Sequence, residues 1–225
     1  MKFCVQPGGS LTGTLRVPGD KSMSHRSVML GSLAEGTTNV SGFLEGDDAL
    51  ATVAAFRAMG VTIDGPSEGR LTIQGVGLGG LKAPNAVLDM GNSGTSMRLL
   101  SGILAGQPFG SVLTGDASLL RRPMGRVMTP LGRMGAAIES QDNGLPPLSV
   151  RGGCALQGIH YDLPMASAQV KSCVLLAGLF ANGRTSVTEP APTRDHTERM
   201  LRGFGYSVEN HNGVIGLEGG GTLRG

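Results

Sequence analysis

Three stretches of the chain are apolar on nearly every side and rich in small residues: Ser27 to Gly36, Leu99 to Gly106 and Cys173 to Gly183. A helix without a polar face has to be buried, so each is predicted to be a core helix. Short strand-forming runs follow them at Thr38-Asn39-Val40, Ser111-Val112-Leu113-Thr114 and Thr185-Ser186-Val187. A second pattern then recurs in the same order, from Ala55 to Ile63, Pro130 to Ile138 and Met200 to Val208. Each reads as a helix closing on a glycine and then a strand. Gly60, Gly135 and Gly205 suit the left-handed position just past a helix end. After a polar turn come second strands at Leu71-Thr72-Ile73, Leu148-Ser149-Val150 and Val214-Ile215-Gly216-Leu217. The pattern predicts three units of roughly 70–75 residues, each strand–helix–strand–helix–strand–strand. One unit cannot cover its own apolar helix, whereas three can share a core.

The chain of 225 residues and 23.0 kDa is long enough for one large domain or two small ones. Hydrophobic residues make up 40%, which excludes a chain too polar to fold. Glycine accounts for 38 residues without a collagen period, so the glycines mark turns, helix ends and close backbone approaches. A net charge of +2 with no dense Lys/Arg arm argues against a nucleic-acid binder. Cys4, Cys154 and Cys173 are scattered and odd in number, and the 4 His show no HxxxH spacing. Neither a disulfide framework nor a metal site is expected. The longest apolar run, Val174 to Ala181, falls short of the ~20 residues that span a bilayer, and Met1 to Gln6 has no signal-like apolar run. These features lead to the expectation of a reduced, cytoplasmic protein with no membrane or nucleic-acid partner.

Polar residues gather before each core helix: Pro18 to Arg26, Gly91 to Arg98 and Pro164 to Lys171. Helix N-termini carry free N–H groups and the positive end of the helix dipole. Three of them on one side would make an anion-binding surface, with Lys21, Arg26, Arg98 and Lys171 nearby. Simple N-capping by Ser, Asn and Asp accounts for any one set equally well. The first set is not a P-loop, because the Gly-Lys-Ser signature is absent. Arg121-Arg122-Pro123 suits bidentate anion binding or a solvated basic turn. Asp195 with Arg199, and Glu198 with Arg202, have the spacing of helical ion pairs. Asp47-Asp48 opens the second helix of unit one, as a cap or as an orienter of a substrate hydroxyl.

Taken together, the strings Val17 to Arg26, Gly91-Asn92-Ser93-Gly94-Thr95, Arg122-Pro123, Ala166 to Ser172 and Arg194 to Glu198 resemble the 5-enolpyruvylshikimate-3-phosphate synthase family, the 3-phosphoshikimate 1-carboxyvinyltransferases. The match runs the length of the chain, and the Lys-Ser-x-Ser-x-Arg string is its most specific part. The resemblance implies an α/β fold: an inside-out prism of three βαβαββ repeats forming one lobe of a two-lobed enolpyruvyl transferase. It implies transfer of the carboxyvinyl group of phosphoenolpyruvate to the 5-hydroxyl of shikimate 3-phosphate, with no cofactor and no metal. Lys21, Asp48 and Asn92 match residues at the reacting groups. Lys21, Ser22, Arg26, Ser167, Ala168, Gln169 and Arg194 match shikimate 3-phosphate contacts. Lys21, Gly94, Arg122 and Gln169 match the phosphoenolpyruvate side. One departure is Leu99, where many family members have proline after the Met-Arg pair.

The other departure is length, since the family has a second lobe of similar size. The expectation is that residues 1–17 pair with that lobe, that residues 18–225 form the first lobe, and that the C-terminal lobe is absent. The chain would then be a fragment or half of a split enzyme, inactive alone and completed by a second chain. A non-catalytic anion-binding half is the alternative from another class. The related UDP-N-acetylglucosamine enolpyruvyl transferases carry a reactive cysteine in the loop that is Asp116 to Arg122 here, which has none.

Overall fold

In the computed structural model, which describes residues 2–10 and 12–225, the three units follow one another along the chain. The first contains α1 (Lys21–Leu33), β1 (Glu35–Ser41), α2 (Asp47–Ala58), β2 (Thr62–Ser67) and β3 (Arg70–Val76). The second contains β4 (Leu88–Asp89), α3 (Gly94–Ala105), β5 (Ser111–Thr114), α4 (Gly125–Arg133), β6 (Ile138–Gln141) and β7 (Leu145–Val150), with a 3₁₀ turn at Leu119–Arg121. The third contains β8 (His160–Asp162), α5 (Ala168–Gly178), β9 (Arg184–Thr188), α6 (His196–Gly203), β10 (Glu209–His211) and β11 (Val214–Glu218).

The sheets repeat as the units do. Their orders are β1-β3-β2, β4-β5-β7-β6 and β8-β9-β11-β10. In units two and three the first strand runs parallel to its neighbour, and every other pairing is antiparallel. Unit one differs from the expected pattern, because residues 12–20 form no strand. Leu15 and Val17 stay 81% and 70% exposed, so that segment has no sheet edge to pair with. Leu223–Gly225 take the parallel place beside β1 instead. The Glu35 N–H donates to the Leu223 carbonyl at 2.8 Å, and the Gly225 N–H donates to the Glu35 carbonyl at 2.8 Å.

Helices α1, α3 and α5 form the interior and the sheets cover them, which agrees with the expected inside-out arrangement. Every residue of α1 from Ser24 to Leu33 is buried. The core helices start earlier than their apolar runs, because the polar strings are their first turns rather than loops in front of them. Gly60, Gly135 and Gly205 stand at φ 89°, 98° and 79°, as the helix-ending reading expects. In the third unit the strand after the cap begins only at Glu209, beyond the expected Tyr206-Ser207-Val208.

α3 and α5 pack against each other along small residues. A Cβ on Gly102 would stand 2.3 Å from the Cys173 carbonyl oxygen, so only glycine permits this approach. Cys173 is fully enclosed at the contact, and burial pushes its thiol up to about 12. Gly102→Ala should therefore overpack the interface, costing about 1–3 kcal/mol and lowering the thermal midpoint by roughly 3–10 °C. A calorimetric midpoint equal to wild type would show that the helices do not meet there.

Candidate active site

The first turns of the three core helices share one cleft of about 240 Å³. It is lined by Asp20, Lys21, Ser22 and Arg26 from α1, Thr95 from α3, Ala168 and Gln169 from α5, and Arg194 and His196 at the start of α6. Capping and ligand geometry coexist here. Asp20 accepts from the Met23 N–H at 2.7 Å, Ser93 from Ser96 at 3.1 Å, and Ser167 from Val170 at 3.3 Å. Ser167 thus spends its hydroxyl on the cap and is half-buried at the rim.

Arg26 is buried yet contacts no carboxylate. Its Nε donates to Thr197 Oγ1 at 2.6 Å, and its terminal nitrogens donate to Ser172 Oγ at 2.7 Å and the Ser22 carbonyl at 3.0 Å. Burial pushes the guanidinium down to about 10; Glu198 opposes that shift, and Arg194 adds to it. A cation solvated only by hydroxyls and a carbonyl keeps its charge available to an incoming anion. Lys21, half exposed, reaches Asp48 at the start of α2 and forms an ion pair with it. Arg194 has no hydrogen bond or ion pair among the described residues.

A second group lies around Gly94. A Cβ placed on Gly94 would come 2.9 Å from one terminal nitrogen of Arg98 and 3.5 Å from one of Arg122. The bare face of this buried glycine is therefore approached closely by two guanidinium groups. Arg122 donates to Asn92 Oδ1 at 2.5 Å and to Ser118 Oγ at 3.2 Å, while Asn92 donates to Asp116 at 2.7 Å. Asp116 is held below the usual carboxylate range, chiefly by the Asn92 amide and then by the Leu119 N–H. Burial, reinforced by Arg126 and Arg122, also lowers Arg98. Gln169 joins the two groups: its carbonyl accepts from Arg98 at 3.0 Å, and its amide donates to Thr95 Oγ1 at 2.9 Å.

The expected site residues thus fall into two linked clusters. Lys21, Ser22, Arg26, Ala168, Gln169 and Arg194 line the cleft, with Asp48 behind Lys21 and Ser167 at the rim. Gly94, Arg122 and Asn92 make the second cluster. Sequence reasoning missed Asp116 as an organiser of Asn92, and Arg126 beside the arginine pair. The Gly115-Asp116 string was visible, but nothing local tied it to Asn92.

Two expectations fail. Lys171 does not face the anion surface: it is 1% exposed, and its ammonium lies 2.8 Å from Glu189 and 2.7 Å from Glu198. Two carboxylates already neutralise it. Neither helical ion pair forms: Glu198 turns inward to Lys171, and Arg202 donates to the Val208 carbonyl at 2.9 Å. A long side chain takes the partner that burial supplies over one that merely has helical spacing.

His25, also missed, lies about one turn beyond Lys21 on α1. Its Nδ1 stands 2.8 Å from Thr52 Oγ1 and 3.2 Å from Ser96 Oγ, and its Nε2 has no partner among the described residues. Burial, then Lys21, lowers it to about 4, with Asp48 opposing.

A family profile described as EPSP synthase (3-phosphoshikimate 1-carboxyvinyltransferase) matches residues 5–225. The chain is 69% identical over its full length to a 3-phosphoshikimate 1-carboxyvinyltransferase of Alkalilimnicola ehrlichii, covering 50% of that protein. It is 66% identical over 98% of its length to the enzyme of that name from Methylococcus capsulatus, covering 51% of it. A solved EPSP synthase from Acinetobacter baumannii superposes with a TM-score of 0.93 at 65% identity, over 95% of this chain and 48% of that one. The chain spans about half the length of the curated relatives it matches. Among the described residues no helix is long and apolar enough to cross a membrane.

The His25 ring generates a pH prediction. Unfolded, it takes up a proton near 6.5; folded, near 4. Between those values the unfolded state binds more protons, so stability present above pH ~6.5 falls as pH drops towards 4. The loss from this one group is on the order of 3 kcal/mol. A ring titration followed by NMR should show the midpoint near 4, and a midpoint near 6.5 would overturn the buried-neutral assignment.

Proposed function

The chain belongs to the EPSP synthase family, and we propose that it supplies the lobe that binds shikimate 3-phosphate and phosphoenolpyruvate for carboxyvinyl transfer. The observation that carries this reading is the pair of linked cationic spaces, one at Arg26 and one at Gly94, bridged by Gln169. Two anionic substrates have to meet, and each needs its own cations. Shikimate 3-phosphate is assigned to the cleft of Lys21, Ser22, Arg26, Ser167, Ala168, Gln169 and Arg194. Its anionic groups face the hydroxyl-solvated Arg26 and the unpaired Arg194. Phosphoenolpyruvate is assigned to Gly94, Arg122 and Gln169, with Lys21 between the two.

The chemistry sets the roles. The 5-hydroxyl oxygen adds to C2 of phosphoenolpyruvate as C3 takes a proton. The hydroxyl proton passes to a base, and loss of phosphate from C2 and of a proton from C3 then re-forms the C2=C3 double bond, now as an enol ether. Negative charge stays on both substrates throughout, so fixed cations that need no rearrangement stabilise the path. Lys21 holds phosphate or donates the proton, and Asp48, its partner, keeps the ammonium aimed and charged. Asn92 fixes the Arg122 fork. Residues 1–17 pair with the lobe that supplies the remaining acid–base groups. A cytoplasmic location accords with three unbridged cysteines, Cys4, Cys154 and Cys173.

Phosphate release is the direct assay. The 225-residue chain alone should show no appreciable turnover, because the cleft is open to water on the side where the second lobe would close it. Adding the other half of a relative as a separate chain should restore turnover. In that pair Lys21→Met should cut kcat at least ~100-fold and leave the melting temperature unmoved. Turnover by the lone chain matching a full-length relative would sink the two-lobe reading. Binding without turnover in every pairing would favour a non-catalytic anion-binding half.

Glyphosate tests the placement of the second space. Gly94→Ala puts a methyl group between the Arg98 and Arg122 guanidinium groups, at a backbone angle alanine tolerates. Glyphosate is the longer ligand and should lose more than phosphoenolpyruvate does. The inhibition constant should rise at least ~10-fold more than the Michaelis constant for phosphoenolpyruvate, a difference of about 1.4 kcal/mol. Equal factors would show that Gly94 does not border that ligand.

A further inference from the structure

Behind the cleft stands a buried charged group that touches neither cationic space. Lys171 follows Gln169 by two residues on α5, and its ammonium is enclosed by Glu189 and Glu198, themselves 8% and 4% exposed in their side chains. Removing three charges from water is expensive, and an apolar trio of similar volume would serve stability as well or better. Placement accounts for the arrangement. Glu189 begins the segment that joins β9 to α6. Its second carboxylate oxygen accepts from the Thr193 hydroxyl, and Arg194 comes next, at the mouth of the cleft. Glu198 lies in the first turn of α6, one residue beyond Thr197, which accepts from Arg26. One ammonium thus pins both ends of the segment to the helix that carries Gln169.

The segment needs such a pin. Residues 190–194 make no backbone–backbone hydrogen bond among the described residues, and Pro190 and Pro192 lack an N–H to offer. Burial chiefly lowers the proton affinity of Arg26, and repulsion from Arg194 across the cleft adds to it. Left loose, the exposed guanidinium would retreat into water.

Resting on the functional reading above, we propose that Lys171 is a positioning residue: through Glu189 and Thr193 it holds Arg194 at the mouth of the cleft that Arg26 lines, so that its guanidinium is set in advance for an anionic group of the bound ring. Ordering the segment before binding removes an entropic penalty from the binding step. The tether therefore acts on affinity for the phosphorylated ring and leaves the Gly94 space untouched.

The test uses the 225-residue chain with two readouts. Backbone ¹⁵N relaxation order parameters at Ala191, Thr193, Arg194 and Asp195 should fall in Lys171→Met and in Thr193→Val; unchanged order parameters in both would overturn the tether whatever the ligand does. Thr193→Val guards against misfolding, since it removes one hydroxyl and keeps the shape, and its melting temperature should stay within about 2 °C of wild type. Calorimetric titration with shikimate 3-phosphate should show Thr193→Val weakening binding by about 3- to 10-fold and Arg194→Ala by at least ~10-fold. In the Arg194→Ala background, Thr193→Val should add less than about twofold, because both act through one guanidinium. Fully additive losses would overturn the proposal and leave the functional reading standing. Failure of the wild-type chain to bind shikimate 3-phosphate at millimolar concentration would overturn the functional reading instead, and the relaxation measurement would still decide the tether.

Discussion

Bringing three helix N-termini to one surface concentrates positive charge before any ligand arrives. The dipole ends of α1, α3 and α5 converge beside Lys21, Arg26, Arg98, Arg122 and Arg194. Unopposed, such a surface would push its own parts apart. The rest of the structure answers that constraint in graded ways. Hydroxyls and carbonyls solvate Arg26, an amide spaces Arg98 from Thr95, a carboxylate pairs with Lys21, and a histidine about one turn beyond Lys21 is kept neutral. Each device lowers the repulsion, and only the Lys21–Asp48 pair does so with a counter-charge.

The architecture makes this possible because the sheets lie outside and the helices inside. Small residues let the helices approach to backbone contact, as at Gly102 and Cys173, so their first turns end close enough for one side chain to bridge two helices. Gln169 does so between α5 and α3, and Arg26 between α1 and α5. Larger residues at the helix contacts would hold the N-termini apart, and the cleft would become three separate caps.

The charged residues divide between those set for ligand and those set for shape. Lys171 pairs with Glu189 and Glu198 below the surface, whereas Arg194 and the Gly94 flank are left without a counter-charge. That division gives the cleft its directionality. Fixed support lies below the helix first turns, and cations without a counter-charge line the cleft.

Much of this was legible from residue order alone. The threefold repeat, the core helices, the glycine-ended helices and the polar first turns are short-range signals: apolar periodicity, caps and backbone conformation act over a few residues. The strings from Lys21 to Arg26 and from Ser167 to Gln169 marked the cleft for the same reason, since each lies within the first two turns of one helix. Partner choice was not legible. Lys171 was expected at the anion surface and lies buried, Glu198 was expected on Arg202 and sits on Lys171, and the strand beside β1 comes from Leu223–Gly225 rather than from the residues before α1. Arg26 meets Thr197 across 171 residues and Arg98 meets Gln169 across 71, separations that carry no local signature. Which buried charge meets which partner, and which edge a strand completes, depends on desolvation and on neighbours through space, and these exist only once the three units have closed on one core.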